Sequence, residues 1–296
     1  MSLRIGACFI YPLKAGSALE VDGFELTARG PQNDRTWMIV RDGSHQRGRF
    51  VSQRDRGCEK LSTVTALPLD DAGCVFENTL GDSIHITDAA LTIREEPADL
   101  WGEKCRVLDA GEEAARWFSD YLGLPCRLVK MDERFTRSAD PTVAQADDQV
   151  SLADSLPLLI TSQASLDSLN RMLGPQAVGM DRFRPNLVLE GCAAFEEDVI
   201  QTIQVGETVI ELALPCARCK VPTINQHTGV VESNEPIATL LATRRGIDPS
   251  LKGTFFGQNA IPRSLGNIRT GDSVEVVSYK PMHPTLAEAT LRYEPT

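Results

Sequence analysis

Apolar residues in the first half of the chain come in short runs of strand length. Arg4–Tyr11 is one such run, and it ends at Pro12. Thr36–Val40 is rich in strand-forming side chains and runs into Arg41-Asp42-Gly43, a turn signal, before a second extended piece at Arg49–Gln53. Further extended stretches fall at Cys74–Glu77, Ser83–Thr87 and Leu91–Glu95, a spacing that suits a small β-barrel or sandwich. The second half predicts strands at the apolar run Leu156–Thr161, at Leu187–Glu190, at Thr202–Leu214 with a break at Gly206, and at Asp272–Val277.

Three segments have helical spacing instead. Gly111–Leu122 places Trp117, Phe118, Tyr121 and Leu122 on one stripe, with Gly123 as the residue past its end. Ser165–Leu173 turns Leu166, Leu169, Met172 and Leu173 inward and closes at Gly174. A third helix is capped by Asn234, carries Pro236 in its first turn, faces Ile237, Leu240 and Leu241 inward and stops at Gly246. Between the halves, residues 133–156 form a polar stretch rich in Ala, Asp and Ser, which reads as an inter-domain connection. The last ~20 residues read as an extended tail, and no internal repeat is present.

Length and charge narrow the function. A chain of 296 residues suffices for one large domain or two ordinary ones and buries about 75% of its unfolded surface. A net charge of −11 argues against nucleic acid as the main partner, because phosphate backbones want a basic face. It leaves room for a small anionic ligand in a locally basic pocket. Eight scattered cysteines are too few for a disulfide scaffold. No secretory leader and no apolar run of about 20 residues is visible. A soluble protein of a reducing, cytoplasmic compartment is expected, with no membrane contact. His45, His85, His227 and His283 do not pair at ligand spacing.

Two motifs carry candidate chemistry. Arg182-Phe183-Arg184-Pro185-Asn186 stands some thirty residues before the single CxxC, Cys216-Ala217-Arg218-Cys219. In an extended segment, Arg182, Arg184 and Asn186 would point to one side as a row of anion-binding donors, with Pro185 favouring that geometry. The bland alternative is surface pairing with Asp181, Glu196 or Glu197. A cation beside a thiol favours thiolate, a nucleophile and soft-metal ligand. One CxxC is not a four-ligand zinc site, and Pro222 argues against a thioredoxin-like helix start. Spacing alone leaves chemistry at Cys219 open beside the reading of buried or incidental thiols. Lys14 and Arg35, each next to a strand, carry little weight by themselves. Phe256-Gly257-Gln258-Asn259 and Gly271-Asp272 read as tight hairpin turns. Arg244 and Arg245 suit the dipole at a helix end, a structural role. The common nucleotide-loop, serine-hydrolase, zincin and EF-hand motifs are absent from the sequence.

Taken in order, these segments resemble the MOSC-domain family, the molybdenum-cofactor sulfurase C-terminal domain, preceded by its usual β-barrel domain. Tyr11-Pro12-Leu13-Lys14 with Asp34-Arg35 resembles the N-terminal signature. Ala153–Ser162 followed by Ala164-Ser165-Leu166 resembles the start of the MOSC domain. Arg182–Asn186, Cys216–Cys219, Thr228-Gly229, Glu235-Pro236, Phe256-Gly257-Gln258 and Gly271-Asp272 follow in family order. The resemblance is to the branch of the mitochondrial amidoxime-reducing component and bacterial reductases of N-hydroxylated bases.

That resemblance implies an α+β, mainly β architecture. A MOSC N-terminal β-barrel domain would span 1–132 and a MOSC domain with C-terminal tail 133–296, with a few peripheral helices. It implies a bound molybdenum cofactor, with Cys219 as both metal ligand and catalytic thiol. Lys14, Arg35, Arg184 and Asn186 would hold the pterin and its phosphate, with Arg218 and the backbone around Ser155 and Leu156 as further contacts. Cys216 receives no role. Ala15 departs from relatives that place Ser beside the lysine. The implied activity is reduction of hydroxylamines, amidoximes or N-hydroxy bases. Electrons would come from a separate flavin, haem or iron–sulfur protein, because no cysteine follows Cys219 to build a cluster in this chain. Pyridoxal phosphate is not expected, since no desulfurase domain is present. Two other readings remain open: a persulfide carrier delivering sulfur through Cys219, and a non-catalytic cofactor-binding module.

Overall fold

A computed structural model describes residues 2–43, 46–69, 73–246 and 252–281. His45, His283 and most of the expected C-terminal tail lie outside the described residues. Among the described residues the architecture is mainly β, with about 40% of residues in strands and three α-helices.

The largest sheet has nine strands. Eight run in the order Leu19–Val21, Arg4–Ile10, Leu187–Glu190, Leu158–Ser162, Gly253–Pro262, Thr208–Ala217, Ile200–Val205 and Val274–Tyr279, and Arg245–Gly246 pairs off Gly253–Pro262. The sheet curls until its ends meet. Ile5 N–H donates to the Asp272 carbonyl at 2.9 Å, Gly271 N–H to Ile5 at 2.8 Å and Val274 N–H to Leu3 at 3.0 Å. Closure of this kind removes the unpaired sheet edges. Its interior is apolar: Ile5, Cys8, Ile160, Leu187, Leu189, Ile203, Ile210 and Leu212 are all fully buried. The N-terminal strand Arg4–Ile10, with Leu19–Val21 paired to it, therefore completes a barrel whose remaining strands come from the second half.

Smaller sheets form the rest of the N-terminal half. Trp37–Arg41, Cys126–Met131, Val107–Asp109 and Thr92–Ile93 make a four-stranded sheet, and Thr65–Leu69, Gly73–Glu77 and Ser83–Thr87 make a meander. Ser83–Thr87 shows why: Ile84 and Ile86 turn inward while Ser83, His85 and Thr87 face solvent. Around the predicted turn signal after Arg41, Arg41 N–H donates to the Arg49 carbonyl at 2.8 Å and its carbonyl accepts from Gly48 N–H at 2.8 Å.

Helix α1 (Gly111–Leu122) ends at Gly123 in the left-handed region, φ 73°. Helix α2 (Gln163–Leu173) starts two residues before the expected Ser165, because the Ser162 hydroxyl accepts from the Ser165 amide at its N-terminus. Met172 is exposed rather than inward. In helix α3 (Ile237–Thr243), Leu241 likewise faces out, at 46% exposure. Asn234 does not cap α3 with its side chain. Its carbonyl accepts from Ala238 N–H at 3.0 Å, and the Glu235 carboxylate accepts from Thr239 N–H at 3.0 Å. Gly246 does not stop α3 either; it lies in the short strand that follows.

The largest correction concerns Phe256-Gly257-Gln258-Asn259. It is not a turn but the middle of Gly253–Pro262, a central strand buried on both faces. Gly257 has φ +78° there, and a Cβ would lie 2.7 Å from Thr161 Cγ2 and 2.8 Å from the Ile160 carbonyl. The glycine marks a close strand approach, not a chain reversal. Gly271, by contrast, does sit in a turn.

Candidate functional site

A cavity of about 320 Å³ opens where the Tyr11–Gly16 segment meets the loops at residues 152–157, 183–186 and 215–221. All eight residues singled out from the sequence line it: Lys14, Arg35, Ser155, Leu156, Arg184, Asn186, Arg218 and Cys219. Seven non-glycine residues of the described chain have positive φ. Four of them, Ala15, Arg35, Trp101 and Arg184, line this cavity. A left-handed backbone costs a side-chain-bearing residue about 1 kcal/mol or more, and such positions gather at functional sites.

The expected row of Arg182, Arg184 and Asn186 does not exist. Met180–Arg182 is a 3-10 turn, and Arg184 has φ +57° rather than the extended geometry that Pro185 predicts. Tertiary contacts override the local preference. The Arg184 carbonyl accepts from Arg35 Nη2 at 3.2 Å, and Arg184 Nη1 donates to the Gly16 carbonyl at 2.5 Å. Arg182 turns away, to the Pro222 carbonyl at 3.1 Å, and steadies the loop after the CxxC.

Asn186 is buried and its amide is fully spent. It donates to the Phe9 carbonyl (3.2 Å) and Asp34 Oδ1 (3.1 Å), and accepts from Arg35 Nη1 (3.1 Å) and Leu159 N–H (3.2 Å). Both donors and both acceptor sites are used, so Asn186 orients Arg35 and ties three segments together. Arg35 also pairs with buried Asp34 at 2.6 Å. The guanidiniums of Arg35 and Arg184 lie 4.2 and 4.3 Å from the Tyr11 ring centroid. Two stacked cations share one aromatic ring here.

These cations are electrostatically uncomfortable. Burial pulls Arg184 down to about 10, and Arg35 adds to the effect. Burial also lowers Lys14, against the opposing pull of Asp154. Lys14 Nζ donates to the Leu152 carbonyl at 2.7 Å and Asp154 Oδ1 at 2.6 Å. The Asp154 side chain is 70% exposed at the cavity wall; neighbouring atoms there raise its carboxyl, but Lys14, Trp101 and Arg35 outweigh them and hold it below the usual carboxylate range. The amides of Ser155 and Leu156 have no protein acceptor among the described residues. An anionic guest would relieve the crowded positive charge and use these donors.

The CxxC begins in the last two residues of the strand Thr208–Ala217 and ends just before the 3-10 turn Val221–Thr223, not at an α-helix start. Its cysteines are inequivalent. Cys219 is exposed. Cys216 accepts a hydrogen bond from Arg218 Nη1 at 2.9 Å, while Arg218 Nη2 reaches the Phe183 carbonyl at 2.7 Å. The cation between the thiols is thus held by Cys216. Arg218 Nε is buried without a partner.

Sequence reasoning missed Asp154, Trp101, Phe50, Arg54 and Gln53, which line the same cavity. Asp154 lies inside the quoted run Ala153–Ser162, and Phe50 and Gln53 inside the extended piece Arg49–Gln53, but none received a role; Trp101 and Arg54 sit in turns without a motif. Arg244, in turn, is structural as expected: it is buried and pairs with Asp198.

The family model of the MOSC domain matches residues 147–275, and that of the MOSC N-terminal beta barrel domain matches residues 2–125. The chain is 32% identical to mitochondrial amidoxime reducing component 2 of Rattus norvegicus, over 91% of this chain and 82% of that protein. It is 31% identical to mitochondrial amidoxime-reducing component 1 of Mus musculus, over 91% and 81%. Identity to the Homo sapiens component 1 is 30%, over 91% and 82%.

Proposed function

The chain belongs to the MOSC-domain family, and on that premise we propose that it is a molybdenum cofactor-dependent reductase of N-hydroxylated compounds. The observation that carries this reading is the joining, in one cavity, of five cationic side chains, Lys14, Arg35, Arg54, Arg184 and Arg218, and an exposed thiol. The names of the relatives, amidoxime-reducing components, supply the reaction class.

The donor set fits the proposed cofactor. Lys14, Arg35 and Arg184 offer positive charge to a phosphate, and the free amides of Ser155 and Leu156 add neutral donors. Cys219 offers a soft sulfur ligand at the cavity wall. Among the described residues no cluster of three or more His, Cys, Asp or Glu could hold a bare metal ion. A metal at Cys219 would therefore take its remaining ligands from its carrier. When bound, the cofactor supplies the two-electron chemistry that accepts oxygen from nitrogen.

The reaction balances as R–NH–OH plus two electrons and two protons giving R–NH2 and water, with the N–O bond broken. The electrons enter from a separate redox protein. The chain's own residues bind and orient: Asn186 fixes Arg35, Cys216 and the Phe183 carbonyl fix Arg218, and Arg182 steadies the loop that carries Cys219. The test is turnover of benzamidoxime with an artificial electron donor, using protein from a cofactor-competent host. Benzamidine formation that disappears in Cys219→Ser is expected. No turnover by cofactor-loaded protein contradicts the reading, and persulfide mass on Cys219 would then favour sulfur transfer.

A further inference from the structure

At the cavity mouth the chain makes a costly local choice. The strands Ala98–Leu100 and Glu103–Cys105 form a hairpin whose two-residue loop is Trp101-Gly102, with Leu100 opposite Glu103. Both loop residues have positive φ, 59° and 90°, as a type I′ turn requires. That turn wants Asn or Asp before Gly. A bulky indole in the first position is strained, and the hairpin gains nothing local from it.

The indole is nevertheless held with care. Trp101 Nε1–H donates to Asp154 Oδ1 at 3.0 Å, and the ring meets Phe50 edge-on at 4.7 Å. Asp154 Oδ1 also receives Lys14 Nζ, whereas its Oδ2 has no protein partner among the described residues. Trp101 stays 49% exposed, so pinning it does not serve burial. The Arg54 guanidinium lies 4.1 Å from the indole centroid. A guanidinium is a flat, delocalised N–C–N group, the same shape as an amidine or amidoxime head. Arg54 thus occupies the indole with an internal stand-in for such a group.

We propose that Trp101 and Asp154 form a subsite for planar amidine-type substrates, the indole stacking on the delocalised N–C–N plane and Asp154 Oδ2 accepting its N–H, with Arg54 as the displaceable internal competitor. The subsite rests on the reductase reading for its catalytic meaning and deepens it. It selects amidoximes and N-hydroxylated guanidines over small hydroxylamines, which offer no flat face.

The test reads binding first, independently of turnover. Benzamidine is titrated against cofactor-loaded protein by calorimetry. Trp101→Asn gives the sequence that the turn prefers, so this variant is expected to melt no lower than wild type. It is expected to bind benzamidine about five- to tenfold more weakly, the range of a cation–π or stacking contact. Trp101→Phe retains binding within about threefold, and Arg54→Ala tightens it by about two- to fivefold. In turnover, Trp101→Asn raises KM for benzamidoxime by a larger factor than it raises KM for hydroxylamine. Equal benzamidine affinity in wild type and Trp101→Asn, or weaker binding in Arg54→Ala, overturns the subsite whether or not the protein is a reductase. If the binding shifts hold but no N-hydroxylated compound is reduced, the subsite stands and the reductase reading falls.

Discussion

Arg184 shows what the cavity costs at the scale of one residue. Its backbone is left-handed, and its guanidinium is desolvated beside a second cation, Arg35. Neither feature helps the fold. Arg184→Met removes the buried charge and keeps the volume of the stem, so urea denaturation is expected to show stability within about 1 kcal/mol of wild type, or higher. The same variant is expected to lose pterin and phosphate occupancy. Not every residue of the site was equally legible. Lys14 and Arg35 are unexceptional as single charges, and only the order of motifs along the chain gave them meaning. Asn186 was legible as a member of the site but not in its manner, because a saturated amide cannot be told from a ligand donor without its partners. Trp101 left one usable signal, a Trp-Gly pair between two short strand-like segments where Asn-Gly is the comfortable choice.

Among elements, the strands with clean alternation or long apolar runs were readable, and α1 was placed to the residue. Gly253–Pro262 was not, because a buried central strand has no alternation and its Gly257 imitates a turn. The exposed Met172 and Leu241 were misplaced because a helical stripe does not say how wide the covering surface is. One buried element contact sets a pH dependence. Glu197 accepts from the hydroxyls of Ser162 and Ser165 at the start of α2, both at 2.9 Å. Burial, with help from Asp198, pushes its carboxyl up to about 7. The folded state therefore holds a proton that the unfolded chain releases near pH 4.5. This stabilisation is complete below about pH 4.5 and fades as pH rises through about 7, by a span of up to ~3 kcal/mol. Glu197→Gln is expected to flatten the fall in urea-denaturation stability between pH 5 and 8. An unchanged slope would place the proton elsewhere.

At the scale of the whole molecule, the two halves interlock. Arg4–Ile10 completes the large barrel, and Gly266–Arg269 pairs with Gly23–Thr27. Unfolding either half strips strands from the other, so calorimetry is expected to show one transition with matching calorimetric and van't Hoff enthalpies. Two separated transitions would contradict the interlock. No periodicity announces such a pairing, because Arg4 and Glu190, or Arg269 and Gly23, stand too far apart along the chain to leave a local trace. Between these halves lies the cavity, and its cations, amides and exposed thiol belong to segments from both. We propose that this cavity holds a molybdenum cofactor through Cys219. The most direct measurement is molybdenum and pterin content of protein purified from a cofactor-competent host. Roughly one molybdenum per chain is expected, lost in Cys219→Ser and kept in Cys216→Ser; protein without molybdenum, or a Cys219→Ser variant that retains it, would contradict the claim.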